Sequence, residues 1–209
     1  PTAGAVAIGP AKARYNMALN LALQGQYQQA ILEYRNALES DPELKDAHTG
    51  LGILLTWKGD LPAAEKSFHQ AIALDDQDPL SYARLGMVQL KQKRFAQASE
   101  SLERAAAIDP DLYEAFYGLG LAAARTGHFE QAIAHFAKAA ILNPTSSETH
   151  INLGVAYVQL GDLNKAAQAY NQVLELDPNN GRVHLYLSDV YGKLGQSHKS
   201  AEHREKARQ

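Results

Sequence analysis

The chain contains no cysteine in 209 residues, which excludes disulfide bridges, thiolate nucleophiles and cysteine-ligated zinc. It has no surplus of either charge: 20 Lys and Arg stand against 23 Asp and Glu, a net charge of −3. Without a basic excess or a Lys/Arg-rich run, the electrostatic footprint of a nucleic-acid binder is missing, and no nucleic-acid partner is expected. No apolar run approaches the roughly 20 residues of a membrane-spanning helix, so no direct membrane insertion is expected. No phosphate loop, nucleophile elbow or HExxH motif occurs, and the chain is read as carrying no catalytic residue, metal site or cofactor. The first residue is proline, not methionine, so a cut or processed form is expected, and an upstream signal peptide or anchor is one kind of segment whose removal would account for it. Cysteine's absence chooses no compartment. The cytoplasm is the default, and an upstream signal would imply a periplasmic or anchored protein.

What the chain does have is periodicity. Over residues 113–146, apolar side chains at Phe116, Leu119, Ala123 and Ala124 follow the i, i+3, i+4, i+7 spacing of one helical face. Gly127 then suits a left-handed helix exit, where a Cβ is unfavourable. Phe129, Ala132, Ile133, Phe136, Ala139, Ala140 and Leu142 form a second stripe. Asn143-Pro144 ends it, because proline cannot continue a helix and restricts the residue before it. The stretch predicts a helical hairpin.

The same positions recur every 34 residues. Leu-Gly pairs stand at Leu51-Gly52, Leu85-Gly86, Leu119-Gly120 and Leu153-Gly154; the turn glycine recurs at Gly25, Gly59, Gly127, Gly161 and Gly195. In the second helix, Ala30, Ala64, Ala98, Ala132 and Ala166 are each followed four residues later by Tyr34, Phe68, Leu102, Phe136 and Tyr170. A further small residue recurs at Ala37, Ala71, Ala105 and Ala139, and a closing proline at Pro42, Pro110, Pro144 and Pro178. From about residue 11 to the end, the chain resembles the tetratricopeptide-repeat family, whose period is 34. The resemblance implies an all-α, right-handed superhelical solenoid of about six helix-turn-helix repeats, with each unit contacting mainly its neighbours.

In chain order, residues 1–10, PTAGAVAIGP, read as a tail or linker, with an extended segment lying on an apolar groove as the sharper alternative. Repeats are expected at 11–44, 45–78, 79–112, 113–146, 147–180 and 181–209. The first has Met17-Ala18 in place of Leu-Gly, and its helices are expected near 12–24 and 28–40. The second has Asp76 for its closing proline, which predicts a looser turn before Pro79. The third has Lys93 where the turn glycine belongs, a small local cost. In the sixth, Ser200 and Arg204 replace the alanine and the aromatic, so its last helix reads as a polar cap. The N-terminal end lacks such a cap, which leaves room for more protein upstream.

The eight histidines are read as structural. His48, His150 and His184 share one repeat position and are spread along the array; His198 and His203 are five apart, a poor chelating pair. The resemblance implies a concave groove built from the first helix of each repeat. Its fifth positions include Tyr15, Tyr117 and Ile151, and its sixth Asn16, Arg84 and Asn152. The ninth are Leu19, Ile53, Met87, Leu121 and Val155, and the thirteenth include Trp57, Lys91 and Arg125. The ninth positions form an aliphatic row, with Arg84, Lys91 and Arg125 as a modest basic flank. Such a floor suits an apolar peptide or amphipathic helix.

Two functions known in the family are disfavoured by the same positions. The clamp for the acidic tails of Hsp70 and Hsp90 chaperones needs Lys and Asn at positions five and nine, Asn at six of the next repeat, and basic residues at two and six of the third. Tyr15, Leu19 and Gly50 occupy slots that need polar groups, so the chain is not expected to bind those tails. The asparagine ladder of O-linked N-acetylglucosamine transferases keeps only Asn16 and Asn152. The sequence therefore predicts a non-catalytic adaptor or assembly scaffold with a protein or peptide partner. A self-associating scaffold, or the targeting arm of a larger enzyme, are the alternatives.

Overall fold

The computed structural model describes residues 9–208, and the tail reading for residues 1–8 lies outside them. Twelve helices and no strands occur among these residues. Two compact units divide at Arg94/Phe95. The first holds α1 (Pro10–Leu23), α2 (Tyr27–Ser40), α3 (Lys45–Lys58), α4 (Leu61–Leu74) and α5 (Pro79–Lys91). The second holds α6 (Phe95–Ile108), α7 (Tyr113–Arg125), α8 (Phe129–Leu142), α9 (Ser147–Gln159), α10 (Leu163–Leu176), α11 (Gly181–Lys193) and α12 (Ser197–Lys206). Within each unit a helix packs on the one before and the one after it. Pro10, read as tail, is the first residue of α1, where its missing N–H costs nothing.

The turns follow the local chemistry. At Gly59, φ is 86°, and at Gly127 it is 80°, a conformation that glycine enters without steric penalty. Lys93 adopts the same conformation with φ 61°, the only non-glycine residue to do so among those described. Helix starts are capped by side chains: Asp60, Ser146, Asp162 and Asn180 accept from the N–H of Ala63, Thr149, Lys165 and Val183. The turn expected to be looser is well bonded. Asp75 accepts from the Gln77 N–H at 3.1 Å and pairs with Lys45 at 2.8 Å, while Asp78 accepts from the Leu80 N–H at 3.1 Å.

In three hairpins the core is a bulky side chain lying over a residue with no side chain. A Cβ on Gly52 would come within 2.9 Å of Phe68, one on Gly120 within 2.5 Å of Phe136, and one on Gly154 within 2.4 Å of Tyr170. The next hairpin closes the other side. A Cβ on Gly50 would lie 2.5 Å from Tyr34, and one on Gly118 2.6 Å from Leu102. Where glycine is absent from that second position the partner is different: Tyr186 stacks on Tyr170 with ring centroids 5.3 Å apart.

The shared histidine position has a definite task. His48, His150 and His184 each bring Nε2 to the carbonyl oxygen six residues back, of Pro42 at 2.9 Å, Pro144 at 3.0 Å and Pro178 at 3.0 Å. A carbonyl only accepts, so Nε2–H is the donor in each case. The histidine satisfies a carbonyl of the turn between repeats.

Candidate functional site

In the first unit, Tyr15 is half-buried, its ring centroid 6.0 Å from that of Tyr34. Burial, then the charge of Asp46, pushes its phenol up. Asn16 is half-buried beside it in sequence, and Leu19 is 37% exposed. Ile53 packs against the core of α1–α5, and Met87 is half-buried on α5. Trp57 is 73% exposed and leans on Tyr27, with centroids 5.8 Å apart. Arg84 is half-buried and its Nε has no partner among the described residues, whereas Lys91 is exposed.

In the second unit, four of the groove residues read from sequence line one cleft of about 340 Å³: Leu121, Arg125, Asn152 and Val155. Ala124, Phe129, Phe136 and Ala156 complete its apolar wall, and Gln159 adds a third polar group. Its rim is ordered by hydrogen bonds. Asn152 Nδ2 donates to the Tyr117 hydroxyl at 3.2 Å. Tyr117 stacks on Tyr113 at 5.6 Å, and the Tyr113 hydroxyl bonds Ser146 and Thr149, both at 2.9 Å. Burial, then the Tyr113 and Glu148 charges, raises the Tyr117 phenol, so it stays neutral at physiological pH.

Ile151 departs from the expectation. It is 4% exposed and sits in the core cluster with Ala166, Tyr170 and Leu187, because the fifth position of this repeat turns toward the following hairpin. Two residues went unread in the sequence. A second hollow of about 180 Å³ shares Val155 and Gln159 with the first and adds Tyr170, Tyr186 and Asp189. Tyr186 and Asp189 hold the sixth and ninth positions of the last repeat, so extending the positional reading by one repeat finds them. No group of three or more His, Asp or Glu that could hold a metal occurs among the described residues, and no described helix is long and apolar enough to cross a membrane.

A tetratricopeptide-repeat family model matches residues 21–86 and 123–189, and a second matches residues 83–147. The chain belongs to the tetratricopeptide-repeat family. Several solved tetratricopeptide-repeat structures share its fold. PilF of Pseudomonas aeruginosa is 22% identical with a TM-score of 0.81, over 92% of this chain and 88% of that one. PilW, a type IV pilus biogenesis factor, is 20% identical with a TM-score of 0.83, over 92% and 90%. MamA from Desulfovibrio magneticus RS-1 is 27% identical with a TM-score of 0.74, over 83% and 99%. No curated protein matches the chain in sequence.

Proposed function

We propose that this tetratricopeptide-repeat protein is a non-catalytic interaction module that holds an apolar or amphipathic protein segment. The supporting observation is the cleft formed by α7, α8 and α9, in which Leu121, Val155 and Phe129 meet Arg125, Asn152 and Gln159. An aliphatic wall with a few convergent polar groups is the usual make-up of a recognition site. Arg125 is exposed at the cleft and enters no ion pair among the described residues, so a segment with an acidic group beside its aliphatic anchor fits best. Peptides selected from a random display library should carry that pair. Their affinity should fall at least about tenfold in Leu121→Glu/Val155→Glu, a loss of about 1.4 kcal/mol, with the helical circular dichroism unchanged. Binding that survives this pair but is lost in Leu19→Glu/Trp57→Glu would move the site to the first unit and overturn the assignment.

A further inference from the structure

The last helix is attached in a way unlike any other. α12 reads SHKSAEHREK, and its only buried residue is Ser200. It contributes no side chain to the hydrophobic cluster beneath it, which is made by α9, α10 and α11. Ten residues are too few to hold a helix in water by themselves, so side-chain contacts with α11 keep it in place. One set is neutral: Ser188 Oγ donates to the Ser200 carbonyl at 2.9 Å, and Ser200 Oγ donates to the Ser188 carbonyl at 2.8 Å. Another is a pair of imidazoles, with His184 Nδ1 of α11 and His203 Nδ1 of α12 at 2.8 Å.

The direction of that second bond follows from the turn. His184 Nε2–H donates to the Pro178 carbonyl, so its Nδ1 is the acceptor in the neutral ring and His203 Nδ1–H must donate. A first proton can enter at His203 Nε2 and leave the bond intact. A second, on His184 Nδ1, sets two N–H groups and two positive charges against each other. We infer that His184 and His203 form a pH-operated latch, by which α12 is held on α11 at neutral pH and released on mild acidification.

The surroundings on balance work in the same direction. His203 faces Lys199, Glu202 and Lys206 on its own helix, and His184 and Tyr191 on α11, with Tyr191 stacked on its ring at 5.4 Å. From α10 and the turn after it, the adjoining cleft receives Asn171, Leu174, Pro178 and Asn179, none of them titratable. Burial, then His184, holds the His203 imidazole below its ordinary value; Glu202 opposes this, and Lys206 and Lys199 add to it. The detached helix therefore binds protons more readily. The latch is complete above the free-imidazole range near ~6.5 and weakens as pH falls through it. Two lysines beside the pair make a metal cation the less favoured occupant.

Hydrogen exchange of the whole chain between pH 7.5 and 5.0, corrected for intrinsic rates, tests the latch. The α12 amides should lose protection by up to about tenfold per pH unit for each linked proton, while α10 amides keep theirs. His203→Gln supplies an amide that can donate or accept, so it should remove the pH dependence and keep α12 protected at pH 7.5; the exposed His198→Gln should change nothing. Equal loss in wild type and His203→Gln, or no loss in wild type, overturns the latch. Should the variant disturb α12, imidazole NMR of the wild type decides. A His203 ring with its hydrogen on Nδ1 and a titration below the free range upholds the latch, and an ordinary titration without that hydrogen overturns it.

Discussion

At the scale of single residues, glycine and the bulky side chain sixteen positions later behave as one unit. Gly120→Ala adds a Cβ 2.5 Å from the Phe136 ring, which is buried and cannot swing away. Overpacking of this kind costs about 1–3 kcal/mol, partly offset by the ~1 kcal/mol that alanine gains over glycine in a helix. Phe136→Ala removes the ring and should cost about 3–5 kcal/mol. Lys93→Gly runs the other way, since relief of a left-handed non-glycine residue should stabilise the chain by about 1 kcal/mol. Urea denaturation measures all three. The glycine and the aromatic were legible because both recur at a period of 34; their contact was legible only as a spacing. Ile151 was misplaced by the same logic, because repeat position predicts which helix face a side chain occupies and not how far the next hairpin covers it.

At the scale of elements, helix starts and inter-repeat turns carry most of the polar order. Ser146 caps α9 by accepting the Thr149 N–H, and its hydroxyl also meets Tyr113 and Thr149. Ser146→Ala should cost about 1 kcal/mol, seen as faster exchange in the first turn of α9 and loosening of the Tyr113–Tyr117 stack at the cleft rim. The hairpins and their ends could be read from glycine, proline and apolar spacing. The histidine pair could not, because His184 and His203 lie on different helices and nothing in their nineteen-residue separation marks them as neighbours. The shared position of His48, His150 and His184 was visible, but its purpose needed the proline carbonyl in view.

At the scale of the molecule, each unit contains a buried tyrosine at the centre of its packing. Burial, then Tyr15, pushes the Tyr34 phenol up to about 12, and burial raises the Tyr170 phenol as well, aided by Tyr186 and Asp189. Both contributions are complete below the ordinary phenol value of ~10 and are lost as pH rises above it. Stability should therefore hold to about pH 10 and then fall, with tyrosinate absorbance appearing late and together with unfolding. Tyr34→Phe should blunt the alkaline loss within α1–α5 and leave that of α6–α12 unchanged, as exchange mapping would show. Neighbour-only packing in solenoids makes such locality the expectation.

The side chain that fills each hairpin also meets the first helix of the next, and the fit there differs from one junction to another. Tyr34 is met by Gly50 and Leu102 by Gly118, yet Tyr170 is met by the ring of Tyr186. The Tyr170 junction is thus built differently from the two that a glycine closes. A chain rebuilt with the Tyr186 hairpin placed after Tyr34 would need two rings where one glycine now makes room.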